Sequence, residues 1–320
     1  MILLVLLATK LFAAKTESAN AKTAGLKPVV FEETWGYVSM SRADEYRDDL
    51  PLTDVVYFAA DVNAYGELIS VPKASWLKVE GKRRHMAFQC DSKSLTHFVL
   101  SPEYPVRNSI INQLVEAVKD FDGLNVDLEL VPARDGAIFL SFIDELRSRL
   151  PDKMLSVCVP ARFKKLSDDV YPYAEIASRC DRVFVMAYDE HWSGGEAGPV
   201  ASPDWCKKVL KYAQKSIPAE KLIMGIPFYG RTWADKTTAG AWYYSGATRI
   251  MGENGVDSYT YEKDIPVFEY TMEVKVKGYF NDAASVHTLA SIYKKAGVHH
   301  AGFWRIGQED PEVWNLIKNE

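Results

Sequence analysis

Phe121-Asp122-Gly123-Leu124-Asn125-Val126-Asp127-Leu128-Glu129-Leu130 alternates strictly after Gly123, with Leu124, Val126, Leu128 and Leu130 in one register and Asn125, Asp127 and Glu129 in the other. Side chains of a strand point to opposite faces in turn, so this stretch has one apolar face and one lined with carboxylates. A carboxylate row turned into a fold is costly unless it has chemical work to do.

Working outward, apolar strands alternate with amphipathic segments. Strands are expected over 29–39, 54–60, 85–89, 121–130, 155–160, 182–189, 221–229 and 300–306. Helical periodicity covers 108–118, 136–150, 173–179, 204–216 and 285–296. Eight largely apolar strands separated by helices imply a parallel sheet covered on both faces. In this length that favours an α/β protein with a closed (β/α)8 TIM barrel over an open doubly wound sheet. No GxGxxG follows any strand to support a dinucleotide site. The stretch 232–277, rich in Gly, Tyr and Thr, reads as a small inserted subdomain with β character.

Hydrophobic residues make up 48% and charged residues 25% of the 320, the balance of an ordinary globular chain. The net charge of −5, with no long basic tract, argues against nucleic acid as a partner. The basic run Lys82 to Arg84 reads as a solvated turn. Residues 1–21 resemble a cleaved secretory signal: a short apolar run from Ile2 to Ala8, then Ala19-Asn20-Ala21 in small-x-small form. The run is too short to span a bilayer comfortably, so an exported monomer without stable membrane insertion is expected. Cys90, Cys158, Cys180 and Cys206 lack metal-ligand spacing. Cys180 and Cys206 are the one pair considered for a disulfide, with free thiols preferred. The six histidines show no HExxH pattern, so no metal is expected.

In a barrel, Asn125, Asp127 and Glu129 point into the lumen, and the last two fall at the carboxyl end, where the sites of this fold lie. Tyr188-Asp189, Tyr229-Gly230-Arg231 and Trp304 end other strands and converge on the same mouth. A Glu among carboxylates in a partly dry cleft has its pKa raised, as a general acid requires. An aromatic face such as Trp304 suits the apolar side of a sugar ring. Acid and aromatic floor together point to glycoside hydrolysis.

With those residues in place, Asp122-Gly123-Leu124-Asn125-Val126-Asp127-Leu128-Glu129 resembles the DGxDxDxE signature of glycoside hydrolase family 18, the chitinase family. Met186-Ala187-Tyr188-Asp189 is similar to its MxYD strand, the run from Gly225 to Arg231 to its GxPxYGR strand, and Trp304 to its last-strand tryptophan. Within the family the chain looks closest to bacterial cell-wall and spore-cortex N-acetylglucosaminidases, without their LysM repeats. The resemblance implies a substrate-assisted retaining mechanism on a glycan containing N-acetylglucosamine, with no cofactor. It implies Glu129 as acid and base, Asp127 and Tyr188 as partners of the substrate acetamide, and Asn125, Asp189, Tyr229, Arg231, Trp304 and Tyr37 as substrate-binding residues. Asp122, Gly123 and Met186 are motif positions of structural use. A catalytically silent lectin on the same barrel is the alternative, but such members typically lack the Glu that is present here.

Two departures from the pattern stand out. The third strand reads His85-Met86-Ala87-Phe88-Gln89 in place of SxGG, which leaves the lower cleft wall open. Asn125 replaces the usual middle Asp, removing a like charge beside Asp127. Asn125→Asp is therefore expected to shift the pH optimum of turnover while activity persists; an unmoved profile would show that position 125 does not tune Asp127.

Overall fold

The computed structural model describes residues 23–234, 238–271 and 275–319; the expected leader, 1–21, lies outside the described residues. Eight parallel strands close into a barrel: β1 (Glu33–Ser39), β2 (Asp54–Val62), β3 (Arg83–Gln89), β4 (Gly123–Asp127), β5 (Met154–Pro160), β6 (Arg182–Met186), β7 (Leu222–Pro227) and β8 (His300–Trp304). Each pairs with the next, and β8 returns to β1. This is a (β/α)8 TIM barrel. The helices are α1 (Lys93–Leu100), α2 (Pro105–Ala117), α3 (Gly136–Arg149), α4 (Tyr173–Ala177), α5 (Pro203–Ala213), α6 (Tyr244–Glu253), α7 (Ala283–Lys295) and α8 (Val313–Leu316). Sequence periodicity missed α1, a single amphipathic stretch of eight residues capped by the Ser92 side chain on the Leu95 amide.

Strand parity sorts the core into two. Val55, Tyr57, Phe88, Leu124, Val126, Val157, Val183, Met224 and Phe303 face outward into the large core beneath the helices. Trp35, Tyr37, Val56, Ala87, Cys158, Phe184, Met186 and Ile223 face inward and fill the lumen. Phe184 occupies the width that two glycines leave free: a Cβ on Gly302 would overlap its ring, and one on Gly225 would lie 2.8 Å from it. All four cysteines are buried and free. No helix among the described residues is long and apolar enough to cross a membrane.

Polar groups close the amino end of the lumen. Glu33 receives Arg182 Nη2 at 2.7 Å and the Trp35 indole at 3.0 Å, and it pairs with Arg83. Burial alone would raise its carboxyl, yet these donors hold it at about 2. Asp54, fully buried, accepts from Arg83 Nε at 2.7 Å and lies 2.7 Å from His85 Nε2. Gly123 leaves room for the His85 ring, and Asp122 accepts the Arg84 amide at 2.7 Å. The two motif residues thus fasten β4 to β3 at the end of the barrel away from its mouth.

Several strand bounds differ from the sequence expectation. The stretch 29–39 is two strands, Val29–Phe31 pairing with Ile317–Asn319 outside the barrel and only Glu33–Ser39 entering it, and the last barrel strand stops at Trp304. β4 stops at Asp127, because Tyr171 donates to the Leu128 carbonyl at 2.7 Å and draws the chain into a turn. Leu130, expected to pack outward, is 40% exposed. Tyr188 and Asp189 lie beyond β6. Tyr229 and Arg231 belong not to β7 but to Tyr229–Ala234, the first strand of a five-stranded antiparallel sheet. Its other strands are Thr238–Tyr243, Thr260–Glu262, Ile265–Thr271 and Lys275–Tyr279, so this sheet spans the 232–277 stretch and overruns it at both ends.

The amino-end network yields a stability test. Asp54→Ala leaves buried His85 and partly exposed Arg83 without their shared carboxylate, and is expected to cost about 2–4 kcal/mol in urea unfolding, the exposure of Arg83 lowering the figure for a wholly buried pair; a cost under about 1 kcal/mol would mean that solvent already serves these groups.

Candidate active site

Glu129, Asp127, Met186, Tyr188, Asp189, Tyr229, Arg231 and Trp304 line one cleft of about 260 Å³ at the carboxyl end of the barrel. Each arrives by a different local route. β4 delivers Asp127 at its last residue, and the turn that follows places Glu129 at the rim. Asp189 adopts φ 60°, a left-handed backbone that Asp tolerates better than most side chains. Its Oδ1 accepts the Tyr229 hydroxyl at 2.7 Å, Arg231 Nη2 at 2.9 Å and Arg231 Nε at 3.2 Å. That carboxylate is therefore anchored to the inserted sheet. Tyr188 packs edge-on to Tyr229, with ring centroids 6.1 Å apart. Trp304 closes the floor against Phe58 at 4.5 Å and Tyr37 at 5.5 Å.

Two expected substrate-binding residues lie beneath this lining rather than in it. Asn125 is wholly buried: its amide donates to Ser156 Oγ at 2.8 Å, while its Oδ1 receives the Tyr37 hydroxyl at 3.3 Å and the Cys158 thiol at 3.4 Å. Tyr37 is only 1% exposed and supports Trp304 from below. Parity turns both side chains inward, while their place in the inter-strand register sets them deeper than the strand ends that form the cleft.

Asp127 is 6% exposed, and its Oδ1 has no hydrogen-bond partner. Burial, then the neighbouring Glu129 charge, pushes its carboxyl up to about 7. Glu129 is open to the cleft yet walled by protein; burial, then the charges of Asp189 and Asp91, push it above the ordinary range. The site thus presents a rim Glu with a raised pKa, a recessed Asp with a spare oxygen, and an aromatic floor. Among the described residues no cluster of His, Cys, Asp and Glu could hold a metal ion.

Phe58, Ala241, Trp242, Tyr243 and Gln308 also line the cleft and were missed in the sequence. Parity along β2 places Phe58 on the same face as Asp54 and Val56, which would have found it. The aromatic run Trp242-Tyr243-Tyr244 was a signal without a location. Gln308 gave none.

The profile of a family described as Glycosyl hydrolases family 18 matches residues 91–309. An uncharacterized glycosylase of Bacillus subtilis, YvbX, is 33% identical over 224 residues, covering 65% of this chain and 64% of its own. The cortical fragment-lytic enzyme of Bacillus anthracis is 25% identical over 241 residues, covering 71% and 56%. The chain thus spans less than two thirds of either relative. Among solved structures, the Bacillus cereus spore cortex-lytic enzyme SleL superposes with a TM-score of 0.77 at 22% identity, covering 91% of this chain and 74% of that one. A chitinase from Chromobacterium violaceum does so with a TM-score of 0.77 at 23% identity, covering 89% and 97%. At these identities the two structures share the fold.

The raised Asp127 carboxyl has a measurable consequence. Folded Asp127 keeps its proton to about 7, whereas the ordinary group releases it at 3.8. Folding therefore takes up a proton in that interval, and stability falls as pH rises through it. Relative to wild type, Asp127→Asn is expected to gain up to about 4 kcal/mol of unfolding free energy between about pH 4 and 8; a difference independent of pH would mean that this carboxyl titrates normally.

Proposed function

The chain belongs to glycosyl hydrolases family 18, and from that membership we propose that it is a retaining glycoside hydrolase cleaving β-1,4 bonds next to N-acetylglucosamine. The observation that carries this reading is the pairing of Glu129 and Asp127 in one cleft whose remaining close carboxylate, Asp189, is already engaged by Tyr229 and Arg231. An anchored Asp189 and a recessed Asp127 leave no other carboxylate of the cleft lining free to attack the anomeric carbon, so the nucleophile is assigned to the substrate.

In this scheme Glu129 donates its proton to the glycosidic oxygen as the bond to the anomeric carbon breaks. The substrate's acetamido oxygen forms the new bond to that carbon, giving an oxazolinium intermediate. The Asp127 carboxyl, with its unpartnered Oδ1, receives the acetamido N–H, and Tyr188 donates to the acetamido oxygen. Trp304 carries the sugar face. Water then attacks the anomeric carbon as the bond to the acetamido oxygen breaks and the acetamide re-forms, and the water gives a proton to Glu129, which restores the acid. Peptidoglycan fits as substrate because relatives include a cortical fragment-lytic enzyme, and the reading includes export to the cell envelope as a monomer.

Turnover of fluorogenic N-acetylglucosamine oligomers and purified peptidoglycan should fall about a thousandfold in Glu129→Gln. Turnover unaffected by that change would remove Glu129 from its role, and binding without turnover in the unaltered protein would make the chain a lectin.

A further inference from the structure

The cleft wall at Tyr243 carries more positive charge than its partners neutralise. Arg42 Nη1 donates to the Tyr243 hydroxyl at 3.5 Å, and Arg305 Nη2 donates to the same oxygen. Both guanidinium centres also lie over the Tyr243 ring, at 5.3 and 5.2 Å. Both pair with one carboxylate, that of Glu45. Asp44, on the same segment, pairs with neither among the described residues. Two guanidiniums on one carboxylate leave a unit of positive charge, and it falls on the open partner: the Arg305 side chain is 8% exposed and that of Arg42 46%. Gln308, also in the cleft lining, has its Oε1 buried without a partner. In the lining itself the ionisable groups are the carboxyls of Asp127 and Glu129 and the self-cancelling pair of Asp189 with Arg231.

Resting on the glycosidase reading, we propose that this rim is a subsite for a sugar bearing a carboxylate on its glycan chain, with Arg42 as the residue that selects it. A guanidinium presents a planar fork that matches a carboxylate with two parallel hydrogen bonds. Arg42 spends only part of that fork on Glu45 and Tyr243, and the rest is open to solvent beside Tyr243, where the cleft lining ends. The buried Gln308 oxygen supplies an acceptor for an amide N–H on the same sugar. A lactyl-ether amino sugar of a bacterial wall offers both groups. Chitin-type oligomers offer the amide and no anion, so they leave the rim charge unanswered.

Two soluble fragments of the same muramyl glycan form the test, one with free carboxyl groups and one with those groups converted to amides. The unaltered protein is expected to favour the carboxylate form in kcat/KM by about tenfold, with the preference shrinking as salt rises. Arg42→Gln should erase the preference and Arg42→Lys should retain part of it. Equal kcat/KM on the two fragments, or a preference that survives Arg42→Gln, overturns the proposal. Affinity of both fragments for the Glu129→Gln protein is measured in parallel, so the subsite is judged even if turnover fails. Equal affinities there overturn it, whereas absent turnover with selective binding strikes only the glycosidase reading.

Discussion

A closed barrel forces every second side chain of each strand into a space that water does not fill, and each polar group placed there must find a partner on another strand. Along this lumen the degree of satisfaction falls from one end to the other. At the amino end Glu33 and Asp54 are answered by Arg83, Arg182 and His85. At mid-depth Asn125 is held by three neutral groups from β1 and β5. At the carboxyl end Asp127 keeps one oxygen with nothing to bind. The same burial that stabilises the paired charges below raises the unpaired carboxyl above, so fold and site follow from one constraint.

The second contribution comes from the inserted sheet. A barrel of this kind supplies a floor but only low walls. Tyr229 and Arg231 on the first inserted strand and Trp242 and Tyr243 on the second raise one side of the cleft. Two of the ties that hold that wall to the barrel are the anchoring of Asp189 by Tyr229 and Arg231, and the clamp of Tyr243 between Arg42 and Arg305. Both are charged, and one of them leaves charge over.

Much of this was legible in the chain itself, for a physical reason. Alternation over 124–127 is a local property, so the inward pair Asn125 and Asp127 could be read without coordinates, as could eight strands from their apolar runs, whereas Glu129 reaches the cleft from the turn after β4. Depth is not local. Asn125 and Tyr37 share a face with the cleft residues but lie below them, which only the register between strands decides. The end of β4 was misjudged because Tyr171, far along the chain, cuts it short. Tyr229 and Arg231 read as a continuation of β7, since the change from parallel to antiparallel pairing after Pro227 leaves no mark in hydrophobicity. Gln308 gained its place through folding alone.

Phe184, seated in the room left by Gly225 and Gly302, with Tyr37 and Trp35 beside it on the lumen side, makes the barrel a cup rather than a tube. Traffic through the cleft is consequently single-ended. The departing portion of a substrate and whatever replaces it share one doorway, so arrival and departure are obliged to take turns, and the order of events is imposed by architecture as much as by chemistry.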